Sequence, residues 1–329
     1  MGKKVNLPKD EMPHENQAIE WWYFNGFLKG KKEYAFMTCL FKADGKKVNI
    51  PFLKIPVKDW YFSHTILFDL SEKKVIKEVL PIVFISNDSF KREDLFVNYF
   101  LPFRKKFVNY EIVRQKDKIR LKTGYFDIIL KEKKKPLLEG GNGFIKLPGK
   151  STYYYSYSNL EAEGFVGSEK VKGKAWHDRQ WSEKGFMDDS WLWFSVQLEN
   201  NTEIVVFDYK GKKMATISYP DNRQKTVEAE FKPLGNPWKS PAGIDYFLEW
   251  KIKAGEFEIT TKPIIKECEI NFGVINYWEG PLQVKVNGKK AFGFMELVAE
   301  KNKNFIDKID IFNFLKKEEL KIVKKFISN

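Results

Sequence analysis

Glu20-Trp21-Trp22-Tyr23-Phe24-Asn25-Gly26-Phe27-Leu28 is apolar at nearly every position. Read as a strand, it sends Trp21, Tyr23 and Phe27 to one side and Trp22, Phe24 and Leu28 to the other. A sheet with one wet face shows polar residues at alternate positions. Here both faces must be covered, so the strand lines one interior and packs against a second body. The pattern returns in Ser190-Trp191-Leu192-Trp193-Phe194-Ser195-Val196-Gln197-Leu198, where Trp21/Trp191, Phe24/Phe194, Leu28/Leu198 and Glu33/Glu203 coincide. The following strands, 34–37 and 204–207, keep register, and Lys174-Ala175-Trp176 corresponds to Lys290-Ala291-Phe292. Such self-similarity marks two copies of one β unit. The expected division is 1–185 and 186–329, the first unit longer by insertions. Both opening strands are then expected at the centre of the molecule, where ligand sites tend to lie.

The rest of the chain reads as short strands separated by turn signals, for example 107–114, 125–130, 202–209 and 247–252. One amphipathic pattern, 307–327, predicts a short C-terminal helix. With 29 Phe, 14 Tyr and 10 Trp, the chain can wall a cavity for an apolar ligand as well as fill a core. The net charge of +13 comes from lysines scattered over turns and edges, as in Lys131-Glu132-Lys133-Lys134-Lys135, without a nucleic-acid reader motif. No nucleic-acid partner is expected; a weak attraction to anionic membrane surfaces is compatible with the charge. Cys39 and Cys268 lack metal or disulfide spacing, and the histidines show neither HxH nor HExxH spacing, so no metal site is expected. No apolar leader or membrane-length run occurs in the sequence, and the expectation is a cytoplasmic monomer.

An ordered set of motifs carries a family resemblance. Pro13-His14, Glu20-Trp21-Trp22-Tyr23, Phe62-Ser63-His64-Thr65 and Tyr153-Tyr154-Tyr155-Ser156 come first. Gly173-Lys174-Ala175-Trp176-His177-Asp178-Arg179-Gln180-Trp181, Trp191-Leu192-Trp193-Phe194, Tyr277-Trp278-Glu279-Gly280 and Gly293-Phe294-Met295-Glu296-Leu297 follow. Together they resemble the carotenoid 1,2-hydratase (hydroxyneurosporene synthase) family, which includes many proteins labelled predicted secreted hydrolases. The resemblance implies an all-β fold of two tandem lipocalin-like antiparallel β-barrels around an apolar, isoprenoid-like ligand. It also implies addition of water to an alkene without an organic cofactor. His177 departs from the residue common in relatives and places a titratable group next to Asp178.

Hydrating a trisubstituted alkene needs a proton donor, a means of stabilising a tertiary cation and a positioned water. A desolvated carboxylic acid supplies the first and aromatic faces the second. Asp178 among Trp176, His177 and Trp181 fits, with the resemblance suggesting an aspartate acid, and Glu20 beside Trp21 and Tyr23 fits as well. The candidate catalytic residues are therefore Asp178, His177 and Glu20. The candidate substrate-binding residues are Trp21, Tyr23, His64, Trp176, Trp181, Trp191, Trp193, Tyr155, Tyr277 and Trp278. The competing reading makes Asp178 and Glu20 buried ion-pair partners, with Arg179 on hand. Glu279 and Glu296 are read as structural, and Glu139-Gly140-Gly141-Asn142-Gly143 as a glycine-rich hairpin turn. No GxSxG elbow accompanies the hydrolase label. A lipocalin-like carrier of lipid or isoprenoid that performs no reaction is the alternative function.

Overall fold

The computed structural model describes residues 4–47, 58–100, 109–186, 189–272 and 275–299. The first part of the chain supplies β1 (Ile19–Lys29), β2 (Glu33–Asp44), β3 (Asp59–Asp69), β4 (Lys74–Leu80), β5 (Phe84–Ile85), β6 (Phe96–Phe100) and β7 (Tyr110–Gln115). It continues with β8 (Lys118–Lys122), β9 (Phe126–Glu132), β10 (Leu137–Leu138), β11 (Phe144–Leu147), β12 (Lys150–Val166) and β13 (Glu169–Ser182). The second part begins with β14 (Trp191–Leu198), β15 (Glu203–Tyr209), β16 (Lys212–Ser218), β17 (Gln224–Leu234), β18 (Trp238–Lys239) and β19 (Asp245–Tyr246). It ends with β20 (Glu249–Ala254), β21 (Phe257–Pro263), β22 (Glu269–Phe272), β23 (Ile275–Val286) and β24 (Lys289–Val298).

The first sheet runs β4-β3-β2-β1-β13-β12-β9-β8-β7-β6-β5, with β10 and β11 paired to β12. The second runs β21-β20-β17-β16-β15-β14-β24-β23-β22, and the β21–β23 pairing closes eight of its strands into a barrel. Tight turns make the closure possible. Lys210-Gly211 between β15 and β16 and Asn287-Gly288 between β23 and β24 hold positive φ at both positions, 49° and 87°, then 48° and 80°. That is the type I′ geometry that matches strand twist.

Two tandem barrels were expected; one barrel closes and the other body is a curled half-barrel. A physical reason lies in what fills the half-barrel. The N-terminal segment enters it, with the Trp22 indole donating to Glu11 O at 3.0 Å and Arg179 Nη2 to Met12 O at 2.8 Å. The Arg114 guanidinium reaches Glu11 at 2.6 Å. The expected C-terminal helix, 307–327, lies outside the described residues.

The repeat has a direct structural counterpart. β1 lies between β2 and β13, and β14 lies between β15 and β24. Trp22, Phe24 and Leu28 point into the first sheet's own core with Phe36, Leu40, Val97 and Ile112. Tyr23 joins Ala35, Met37, Cys39, Ile66, Phe68 and Trp176 in a separate core shared with Phe207 and Phe294 of the barrel. The two-sided apolar strand is thus explained: one face is intrasheet core, the other a seam between the sheets. At roughly 1.5–3 kcal/mol for each fully buried large apolar side chain, the seam binds the sheets firmly.

Polar ties fix their register. Gln197 Nε2 donates to Ser158 O at 2.7 Å and Ala175 O at 2.9 Å. Lys134 Nζ meets Glu203 at 2.5 Å, and Asn159 Nδ2 donates to the same carboxylate at 2.6 Å. The run 131–135 is therefore not uniformly a solvated turn: Lys134 is buried in an ion pair between the sheets. Among the described residues, no helix is long and apolar enough to cross a membrane.

Candidate functional site

Antiparallel pairing places one row of side chains across the seam face of the first sheet. Ser156 on β12 is opposite Asp178 on β13, and Asp178 is opposite Tyr23 on β1. Tyr23 is opposite Cys39 on β2, and Cys39 is opposite His64 on β3. The barrel presents a facing row. Met214 pairs with Phe207, Phe207 with Trp193, Trp193 with Glu296, and Glu296 with Glu279. Directly paired residues have Cβ atoms about 4.5–5.5 Å apart, so each row is a continuous strip of contacting side chains.

Asp178 sits at one end of this arrangement with three neutral hydrogen-bond donors and no cation. Trp176, two residues back on the same face, gives its indole N–H to Oδ1 at 2.5 Å. Ser156 Oγ donates to Oδ1 at 2.6 Å and Tyr154 Oη to Oδ2 at 2.8 Å. Trp193 from the barrel donates to Tyr154 Oη at 2.8 Å, which leaves the phenol proton aimed at Asp178. Burial pushes the carboxyl up to about 7, partly offset by the bonds from Ser156, Trp176 and Tyr154. Near neutral pH a substantial share of Asp178 therefore holds a proton to give. Tyr154→Phe removes a donor that favours the ionised form, so the Asp178 titration is expected to move upward; an unmoved or lowered midpoint would contradict the assignment.

A second acid lies behind it. The glycine-rich turn forms a single-turn helix at Glu139–Gly141, with Gly140, Gly141 and Gly143 all at positive φ. It delivers Glu139 Oε1 to 3.2 Å from Ser156 Oγ. Ser156 Oγ faces both carboxyl groups as a donor, with the shorter contact to Asp178. Burial and then the charge of Asp178 raise Glu139 well above the usual carboxylate range.

At the other end, Glu279 and Glu296 stand opposite one another on β23 and β24. The Trp191 indole donates to Glu296 Oε1 at 2.7 Å. The Tyr23 phenol accepts from Asn25 Nδ2 at 3.0 Å, and burial followed by the nearby charge of Glu279 raises it well above its usual range. Beyond them, His64 Nδ1 and Tyr277 Oη are 2.5 Å apart, and burial holds the His64 imidazole down to about 3, so it is neutral. Trp21, Gln180, Phe186, Trp191 and Glu296 keep partial exposure at one edge of the seam. Phe186 bridges it, edge-on to both Trp21 and Trp191.

The seam thus gathers Asp178, Trp21, Tyr23, His64, Trp176, Trp191, Trp193 and Tyr277. The other candidates face elsewhere, as strand alternation requires. His177 was expected to serve water beside Asp178. Its ring instead lies in the first sheet's core, stacked on Phe24 at 4.0 Å with Nδ1 2.9 Å from Tyr23 O, and burial holds it neutral. Glu20 is in the same interior, paired with Arg179 at 2.6 Å and Lys42 at 3.1 Å. Burial works against its ionisation, yet Arg179, His14 and Lys42 hold it down to about 2. This geometry is that of the buried ion-pair partner, the competing reading of Glu20. Trp181 stacks on His14 at 4.0 Å, and Tyr155 packs edge-on to Trp181. Trp278 turns away from the seam and donates to Lys266 O at 2.7 Å. Arg179 takes Glu20 rather than its sequence neighbour Asp178. Among the described residues, no three His, Cys, Asp or Glu side chains are grouped to hold a metal ion.

Fold and seam define a tandem lipocalin-like protein, one closed barrel against one curled sheet, with carboxyl groups buried between them. The chain belongs to the AttH-like family, whose model matches residues 1–300. This fits the resemblance to the carotenoid hydratase-like lipocalin proteins. Among solved structures, it is similar to a protein from Nitrosomonas europaea assigned as AttH, at 22% identity and TM-score 0.72, covering 91% of this chain and 98% of that one. It is similar to kievitone hydratase from Nectria haematococca at 17% identity and TM-score 0.68, covering 91% and 94%. CghA matches at 10% identity and TM-score 0.60, covering 92% and 96%. No curated protein sequence matches.

Proposed function

We propose that this chain is a cofactor-free hydratase that binds an apolar, alkene-bearing molecule in the seam and protonates it with Asp178. One observation carries the reading: Asp178 is buried among neutral donors, without a cation, and its carboxyl is held up to about 7. A structural carboxylate looks like Glu20, which is ion-paired and pushed the other way.

In the proposed step, the alkene π electrons take the Asp178 proton to form a C–H bond. Positive charge develops on the more substituted carbon. The aromatic faces of Trp176, Trp193 and Tyr23 surround that position, and a desolvated cation–π contact contributes about 2 kcal/mol. Water then forms the C–O bond and loses a proton. A substrate carrying its own nucleophile or diene would cyclise in the same enclosure, so water addition is one outcome of a common protonation. The solved relative named as a hydratase supports the first outcome for that protein; the isoprenoid class is this chain's own expectation.

The test is incubation with squalene and neurosporene, two acyclic polyenes, with mass spectrometry for a gain of one water. The acid must be protonated, so the rate is expected to fall about tenfold per pH unit above about 7. Native mass spectrometry of the purified protein identifies any apolar ligand carried along. Tight binding with no turnover would overturn the enzyme reading in favour of a carrier.

A further inference from the structure

We propose that Glu279 and Glu296 form the second half of the reaction centre, the base that removes a proton from water as it adds, opposite the Asp178 acid. The assignment rests on the hydratase reading above and deepens it.

Three observations carry it. First, Glu279 and Glu296 are directly opposite cross-strand partners, a placement in which two like charges repel strongly. In a desolvated site such a pair holds one proton and leaves one carboxylate, as two adjacent carboxyls do in other catalytic dyads. Burial raises both; Glu296 lies at about 7, and the charge of Glu296 drives Glu279 higher still. Second, Glu279 is 1% exposed, and its Oε1 has no hydrogen-bond partner among the described residues. A buried carboxylate oxygen left unpartnered costs about 1–3 kcal/mol or more, so it is a position for a water or a substrate hydroxyl. Third, side-chain contacts join the pair to Asp178 across the seam. Trp193 pairs with Glu296 across β14 and β24 and donates to Tyr154, the ligand of Asp178. Tyr23 pairs with Asp178 across β1 and β13, and Glu279 is close enough to act on its phenol.

The groups facing the pair are Asp178, Tyr23, Cys39, Cys268, Tyr277 and the Trp191 indole. No Lys or Arg is among them, so nothing pins the carboxylate as an ion pair. Glu296 keeps partial exposure beside Trp191, whose indole donates to it.

The proton balance closes. Asp178 gives one proton to carbon; water gives its oxygen to the neighbouring carbon and one proton to the Glu279–Glu296 carboxylate. Net, one water is added across the double bond. The pair returns its proton to solvent through Glu296, its partly exposed member, and Asp178 is reprotonated after product leaves.

Glu279→Gln and Glu296→Gln test this against wild type and Asp178→Asn, with squalene in deuterated water. Two readouts are taken: water addition, and deuterium entering recovered alkene by reversible protonation. The Gln variants are expected to lose at least about 100-fold in water addition while deuterium exchange persists. Asp178→Asn is expected to lose both. Water addition at the wild-type rate in both Gln variants overturns the proposal, as does parallel loss of exchange in folded protein. If wild type shows neither exchange nor addition, the hydratase reading fails for this probe, and an infrared titration decides the pair by itself. One protonated carboxyl shared at pH 7, sensitive to either Gln substitution, supports it; two ionised or two protonated carboxyls overturn it. Circular dichroism of each variant confirms folding.

Discussion

Asp178→Asn is expected to abolish polyene hydration, with a loss of at least about 10³-fold, while leaving the fold and ligand binding intact. Asparagine keeps the shape. Its carbonyl oxygen can still accept from Trp176 and Ser156, and its amide can donate to Tyr154 Oη in place of receiving that proton. Only the acid is lost. The stability sign runs the same way. A carboxyl raised to about 7 in the folded protein, against 3.8 when free, is a protonation that favours the fold at low pH and weakens it as pH rises from 4 to 7. At pH 8 the Asn variant is therefore expected to melt no lower than wild type. Retained turnover in this variant would remove Asp178 from the chemistry. Thermal melts and mass-spectrometric assays on the same samples measure both effects.

The largest stability effect is expected on the opposite face of the same strand. Arg179 is fully buried, pairs with Glu20 at 2.6 Å and lies over the Trp22 ring at 3.9 Å. Arg179→Met leaves Glu20 1% exposed without its principal counterion, a change that costs about 3–5 kcal/mol. The variant is expected to melt on the order of 10 °C lower. Glu20 in wild type has a carboxyl held at about 2 rather than 4.5, so its stabilisation is complete above pH 4.5 and disappears as pH falls toward 2. Arg179→Met should largely flatten that acid limb in chemical denaturation. Adding Glu20→Gln should restore part of the lost stability, since the stranded charge is then gone. A melting point unchanged from wild type would show that the pair contributes nothing to the fold.

Much of this was legible in the sequence, and the failures share one cause. The two-sided apolar strand and its repeat at Trp191 located the seam, because no arrangement other than burial on both faces suits Trp21-Trp22-Tyr23-Phe24. Closure was harder to foresee, since it depends on whether the end strands meet: β21 finds β23, whereas β4 and β5 make no mutual pairing among the described residues. Within the site, candidates chosen as contiguous motif neighbours were split by the period of two. Asp178 faces the seam while His177 and Arg179 face away; Tyr277 faces it while Trp278 does not.

The same alternation, applied strictly, would have recovered what was missed. Phe292, Phe294, Glu296 and Val298 share one face, and an acid in that apolar row is conspicuous. Tyr277, Glu279 and Pro281 form the matching row. Tyr154 and Ser156 follow from Tyr155 by one step in either direction. Glu139 had no such signal. It reaches Ser156 only because Gly140 and Gly141 adopt positive φ, and only the folded turn shows where that carboxyl points.

The proposed chemistry needs Asp178 to keep its proton well above the usual carboxylate range. Infrared difference spectroscopy between wild type and Asp178→Asn, titrated from pH 5 to pH 9, measures that state directly. The expected result is a protonated-carboxyl band at pH 5, absent from the variant, that fades with a midpoint near 7. A carboxyl already ionised at pH 5 would contradict the account, because an ionised Asp178 has no proton to give.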